Sequence, residues 1–248
     1  MKILAISDVP SKLLWDYCTR ERLADIDLIL SCGDLPKKYL EYLTNFTVAP
    51  ILYVHGNHDG SYKEGEPGGC ICVDDQIYTW KGLRIMGLGG CNRYNKEDTF
   101  QYTEREMQRR ARKLWFRAHR AGGVDILLTH APAKGLNDGT DKAHIGFQVF
   151  NDLMDEYEPK WFIHGHMHLN YGANLPRVCT RGGTTVINAT ERYEFEIPDP
   201  EPETQRKFFW KNAAFTTLRC RSRRQMCAPM CWPIAAWRRS AIIRCTWA

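Results

Sequence analysis

No apolar stretch of this 248-residue chain approaches the roughly 20 residues that a membrane-spanning helix needs. The apolar run at the amino terminus is broken by Asp8, too early for a signal sequence. The expected compartment is therefore the cytoplasm, with no membrane partner. The ten cysteines contain no C-x-x-C pair, which removes the common zinc modules and the thioredoxin-type redox motif. Cys70 and Cys72 are two apart, on one face if the segment is a strand. Buried free thiols are the expected state of these side chains. Gly87-Leu88-Gly89-Gly90 lacks the further glycine of a dinucleotide fingerprint, because position 92 is Asn92; it reads as a tight loop.

The last lack divides the chain. From Thr204 to Ala248 there is no Asp, Glu, Gly, Val, His or Tyr, but there are ten basic residues, four Trp and four Cys. The whole chain carries +5, so removing those ten basic residues leaves 1–203 at −5. The Pro-rich run Pro198-Asp199-Pro200-Glu201-Pro202 reads as the end of a domain. The expected organisation is one α/β domain over 1–203 and a basic tail over 204–248. The tail has no stable period and reads as disordered or poorly packed, an out-of-frame extension rather than a selected sequence. A nucleic-acid arm is the alternative that its charge offers.

What the chain does have is one design repeated five times. Ile51-Leu52-Tyr53-Val54 is a short apolar, strand-like run that leads to Gly56-Asn57-His58-Asp59. Ile3 to Ser7 ends in Asp8, and Leu28 to Cys32 ends in Gly33-Asp34. Val124 to Thr129 ends in His130, and Trp161 to His164 ends in Gly165-His166-Met167-His168. Polar groups at the carboxyl ends of strands are how open α/β sheets build sites. Between these runs, helical segments are expected after Ser11 (Leu13, Leu14, Tyr17 and Cys18 on one side), over Lys37 to Asn45, and around Phe147 to Tyr157. Ile77 to Trp80 and Leu83 to Met86, joined by Lys81-Gly82, predict a β-hairpin. Ser61 to Gly69 reads as a surface loop and Ala131 to Ala143 as a long polar loop. Thr184 to Asn188 and Tyr193 to Ile197 are further expected strands.

The clearest helix runs from Thr103 to Ala121. It opens on a Thr103/Glu106 capping box, and Met107, Ala111, Leu114, Trp115 and Ala118 share one face. Arg105, Arg109, Arg110, Arg112, Lys113, Arg117 and Arg120 are expected to crowd the solvated side.

Asp8, Asp34, Asn57, His130, His166 and His168 offer two carboxylates, an amide oxygen and three imidazoles. That mixture suits Mn, Fe or Zn better than Mg or Ca, and it exceeds the needs of one ion. Two neighbouring ions can together hold a nucleophile and a phosphoryl oxygen for an in-line displacement.

These motifs, in this order, resemble those of the calcineurin-like metallophosphoesterases over about 1–197. The resemblance implies a four-layer α/β/β/α sandwich with a dinuclear centre of two divalent or trivalent ions, Mn2+ first and Fe or Zn next. It implies that Asp34 bridges the ions, that Asn57, His130 and His166 complete one site, and that Asp8 and His168 belong to the other. It implies a catalytic role for His58, oriented by Asp59, and hydrolysis of a small-molecule phosphomonoester or phosphodiester. One departure stands out. The family usually carries Asp-x-His at its first motif, and here the third position is Pro10, which cannot bind a metal. His55, His144 and His164 are spare imidazoles that the sequence cannot place in that gap. The alternatives are a weak or inactive scaffold that binds a protein partner, and a nuclease that uses the basic helix as a phosphate rail. Protein-serine/threonine phosphatases are less similar, because Leu35-Pro36-Lys37-Lys38 lacks their further Asp and Arg.

Overall fold

The structure, a computed structural model, describes residues 1–95, 99–169 and 176–199. In chain order the strands are β1 (Lys2–Ser7), β2 (Leu28–Ser31), β3 (Ile51–Tyr53), β4 (Cys70–Cys72), β5 (Gln76–Trp80), β6 (Leu83–Leu88), β7 (Cys91–Asn92), β8 (Gln101–Tyr102), β9 (Ile126–Thr129), β10 (Trp161–His164), β11 (Val178–Arg181), β12 (Thr184–Asn188) and β13 (Glu191–Glu196). The helices are α1 (Lys12–Trp15), α2 (Lys37–Leu43), α3 (Glu104–Arg120) and α4 (Gln148–Tyr157). Asp59–Glu64 adds a short 3-10 turn of helix.

Two mixed sheets lie in the middle. The five-stranded sheet has the order β13-β1-β2-β3-β4, with β1 to β4 parallel and β13 antiparallel to β1. The six-stranded sheet has the order β11-β12-β10-β9-β6-β5, parallel in its middle and antiparallel at both edges. The period-2 alternation of β1 shows how the layers are made. Ile3 and Ala5 pack with Leu83, Ile85, Ile126, Leu128 and Ile163 in an apolar layer between the sheets. Leu4 and Ile6 turn the other way, onto Leu14 of α1 and Tyr39, Leu40 and Leu43 of α2. On the far side, Met86, Leu127, Phe162 and Val186 pack on Met107 and Leu114 of α3 and Phe150 and Leu153 of α4. Three apolar seams between four layers make the expected α/β/β/α sandwich.

Most expected elements form with ends shifted by a residue or two. The Lys81-Gly82 turn takes positive φ at both residues, 43° and 83°, as a tight hairpin requires. The Thr103/Glu106 capping box forms in full. Four expectations need correction. Gly87 and Leu88 continue strand β6 beside Leu128 and Thr129 instead of opening a tight loop. α1 is a single turn that stops at Trp15, so Tyr17 lies outside it and is exposed; Ser11 is buried and its hydroxyl donates to Glu191 at 3.0 Å instead of capping the helix. The segment Ser61 to Gly69 is partly helical rather than wholly loop. Arg110 does not lie on the solvated face of α3. It is buried, donates to Asp75 at 2.8 Å and to the Gly89 carbonyl at 2.6 Å, pairs with Asp74 at 3.3 Å, and covers the Tyr102 ring. Two acids and an aromatic face offset the cost of desolvating the guanidinium, which helix periodicity does not reveal.

Cys18, Cys32 and Cys91 are buried free thiols, while Cys70, Cys72 and Cys179 are partly exposed free thiols. The expectations for the 204–248 tail, and for the boundary at 203, fall outside the described residues. Among the described residues, no helix is long and apolar enough to cross a membrane.

Candidate metal centre

All five strand ends that carry the candidate ligands meet at one edge of the sandwich. At three of them the chain turns sharply beyond the strand end. Asp8, Asp34 and His166 make that turn with positive φ of 63°, 56° and 65°. Non-glycine residues rarely adopt this region, and strain of this kind gathers at functional sites. The turns pack so closely that glycine is required beside them. A Cβ at Gly56 would collide with the Asp34 carboxylate, and one at Gly165 with the Ser7 hydroxyl. The glycines that precede Asn57 and His166 thus exist to let polar groups from different strands approach.

Four donors converge. The Nε2 atom of His130 lies 3.0 Å from Asn57 Oδ1, 3.1 Å from His166 Nδ1 and 3.4 Å from Asp34 Oδ2. Ligands bound at about 2.1 Å to one transition ion stand about 3.0 to 3.4 Å apart, for octahedral and tetrahedral angles respectively. The cluster therefore has the spacing of a coordination shell. Asp34, His130 and His166 together satisfy the donor types and proximity that a metal needs.

The hydrogen bonds behind the ligands set the tautomers. His130 Nδ1 is 2.7 Å from the Cys32 carbonyl, so Nδ1 carries the proton and donates. His166 Nε2 is 2.8 Å from the Ala143 carbonyl, so there Nε2 is the donor. The two rings thus present opposite nitrogens to the same point, each aimed by a backbone carbonyl. Burial pulls down the pKa of His130, but the nearby Asp34 and Asp8 carboxylates outweigh it and the net shift is upward. Burial, with the charge of His130 beside it, holds His166 well below the usual histidine range.

The other side of the centre is thinner. Asp8 accepts from the His166 backbone N–H at 2.9 and 3.0 Å and from the Thr190 hydroxyl at 3.3 Å. Burial raises its carboxyl above the ordinary range, His130 lowers it and Asp34 raises it. His168 is half-buried and its charge bears on Asp8. Pro10 contributes no donor. The three spare imidazoles have other surroundings. His55 binds Asp74 at 2.6 Å, His164 is wholly buried, and His144 packs on His166 with ring centroids 5.0 Å apart.

His58 is exposed next to the cluster, and its backbone N–H donates to Asp34 Oδ1 at 2.7 Å. Asp59 is buried, and its carboxylate bonds run to the backbone. It takes the N–H of Gly56 at 2.7 Å and of Asp34 at 2.9 Å, tying two ligand turns together. Burial raises its pKa to about 6, against the pull of the Gly56 N–H. The resemblance implies that Asp59 orients His58; any such influence runs through these turns rather than through a bond to the ring. Three participants had no signal in the sequence: the Cys32 and Ala143 carbonyls, which carry no side-chain identity, and Thr190. Tyr94, whose hydroxyl accepts from Asn57 Nδ2 at 3.2 Å, is a fourth residue that the sequence reading missed.

A four-layer sandwich with converging carboxylate, amide and imidazole donors at its strand ends defines a metallophosphoesterase-type protein. The chain belongs to the calcineurin-like phosphoesterase superfamily, whose domain it matches over residues 1–192. It is 35% identical over 71 residues to metallophosphoesterase domain-containing protein 1 of Homo sapiens and of Mus musculus. That match covers 27% of this chain and only 20% of those relatives' length. A UPF0046 protein of Caenorhabditis elegans is 22% identical over 219 residues, covering 77% of this chain and 70% of that protein. One solved crystal structure shares the fold with a TM-score of 0.57 at 16% identity, over 78% of this chain and 93% of the other. Membership of this superfamily supports metal-dependent phosphoester hydrolysis as the general activity.

Proposed function

We propose that this protein hydrolyses a small-molecule phosphomonoester or phosphodiester at a dinuclear metal centre. The carrying observation is the convergence of Asp34, Asn57, His130 and His166, with both ring tautomers fixed from behind. The residues fit a transition ion, and Mn2+ suits their mixed nitrogen and oxygen set. Asp34, Asn57, His130 and His166 would hold one ion; Asp8, Asp34 and His168 would hold the other, with Asp34 shared. When bound, the ions supply charge to the phosphoryl oxygens and acidity to water.

The chain's own residues do the rest. The Cys32 and Ala143 carbonyls keep the ligand rings from turning. Asp59 fixes the spacing of the Gly56 and Asp34 turns. The exposed His58, beside ligand Asn57 but surplus to the ligand set, would donate a proton to the leaving oxygen.

The test is hydrolysis of p-nitrophenyl phosphate and bis(p-nitrophenyl) phosphate after chelation and metal return. The expected outcome is recovery with Mn2+ and not with Ca2+. Absence of turnover with Mn2+, Fe2+ and Zn2+ across a broad phosphoester panel would contradict the proposal and favour the scaffold alternative.

A further inference from the structure

The outward face of α3 carries charge of one sign only. Arg105, Arg109, Arg112, Lys113 and Arg120 are all exposed. At 3.6 residues per turn they share an arc of about 100°, and from first to last they extend about 22 Å along the axis. Phe116 falls in the middle of that arc and is 63% exposed. The apolar side of the helix, with Met107, Ala111, Leu114 and Ala118, packs on the core, and Phe116 is turned away from it.

Solvated helix faces ordinarily mix the two signs, because Glu–Lys pairs one turn apart stabilise a helix and like charges at that spacing destabilise it. Here Arg105, Arg109 and Lys113 follow one another at i,i+4, and Arg109 and Arg112 at i,i+3. The acids on and beside α3 are engaged elsewhere. Glu104 takes the Gln148 and Val149 backbone N–H groups at 2.9 Å each, and Glu106 takes Arg93 at 2.9 Å. Asp75 takes Arg110 at 2.8 Å, and Glu156 stands 4.0 Å from His119. The five cations of the arc form no ion pair with any described residue. The 1–203 domain has a net charge of −5, yet α3 carries seven basic residues and two acidic ones. An acidic domain thus displays a positive stripe that its own fold leaves unpaired.

Two features define what fits this stripe. Cations spread over about 22 Å exceed the reach of one small anion and match a linear polyanion. An aromatic ring among them suits a base that is not already stacked in a duplex. A membrane surface would call for several apolar side chains beside the charges, and Phe116 is the only one in the arc. We infer that the outward face of α3 binds single-stranded nucleic acid, its cations along the phosphodiester backbone and Phe116 against an unpaired base. The role of this surface is binding, on the layer outside the six-stranded sheet. It stands or falls independently of hydrolysis at the metal centre.

The test is fluorescence anisotropy with the full chain and a labelled uridine strand of about 20 nucleotides, its integrity checked by gel, from about 50 to about 200 mM salt. An RNA duplex of the same length and phosphatidylserine vesicles are the rival probes. R109Q, R112Q, K113Q and R120Q together should weaken strand binding about 100-fold at low salt and reduce the logarithmic salt slope by about 3, at about 0.7 per lost contact. The same loss of charge by K12Q, R20Q, R22Q and K38Q, at exposed positions around α1 and α2, should change affinity by less than about 3-fold. F116A should weaken binding about 5-fold or more with the salt slope unchanged, and F116W should restore it. Melting temperatures should not fall, since every substituted side chain is exposed. Residues 204–248 keep their ten basic residues in every variant, so differences among variants belong to the domain. Equal losses in the two fourfold variants would reduce the effect to net charge and overturn the inference. Absence of strand binding, strand binding that the α3 substitutions leave intact, a duplex bound as tightly as the strand, or binding to vesicles alone would each overturn it too.

Discussion

The two sides of the metal centre are built to different standards. On one side, three donors from three other strand ends stand within 3.4 Å of His130 Nε2, and backbone carbonyls aim both rings. On the other, Asp8 is held by a backbone N–H and a hydroxyl, His168 is half-buried, and Pro10 stands where the family usually has an imidazole. Ligands that are already spaced and oriented lose little freedom when an ion arrives, whereas a side short of a donor must recruit water or move. The difference predicts one firm ion and one weaker ion.

The largest effect should come from breaking the stronger side. His130→Ala removes the atom that three other donors face. Metal content should fall, and turnover should drop by more than about 100-fold, since even residues behind the ligands are worth 10- to 100-fold. A variant that keeps both metal and turnover would show that the cluster is not the centre. Next comes His58→Ala, which should lower kcat roughly 100-fold while metal content stays unchanged. Loss of metal in that variant would move His58 into the ligand set and even out the two sides.

A third prediction concerns the frame behind the Asn57 turn. Arg110, Asp74 and His55 form a buried charged group there, with His55 in ring contact with Phe100 at 4.3 Å. Arg110→Met leaves Asp74 short of a cation and should destabilise the fold by about 3 to 5 kcal/mol, the usual cost of breaking a buried pair from one side. Chemical denaturation measures it. An unchanged midpoint would show that Arg110 is only peripheral. The smallest effect is in pH. Burial alone would lower the pKa of His55, but Asp74 and Cys72 raise it to about 10. A raised histidine contributes stability that is complete below its unfolded value near 6.5 and is lost as pH climbs through the folded value. The metal-free protein should therefore lose melting temperature between about pH 6.5 and pH 10. His55→Gln should flatten that slope.

The same contrast marks what the sequence made legible. The strand ends were readable because short apolar runs stop at residues whose side chains have one obvious chemistry. Asp8, Asp34, Asn57, His130 and His166 are all found at the edge where that pattern puts them. Burial of Arg110 was not readable, because helical periodicity assigns a charged residue outward and only the fold brings Asp74, Asp75 and Tyr102 to it. The bonds of Asp59 were not readable either: the resemblance implies that it orients His58, and only the fold shows its carboxylate on two backbone N–H groups. The carbonyls of Cys32 and Ala143 carry no residue-type signature.

The unequal sides can be tested directly by calorimetric titration of metal-free protein with Mn2+, with turnover measured at each point. Two separable steps are expected, the tighter from the His130 side, and turnover should follow the weaker step because in-line attack uses both ions. Pro10→His should tighten that second step if the new ring turns inward. A single step of two equivalent ions in the unaltered protein would contradict the account and reveal a ligand that makes good the loss at Pro10.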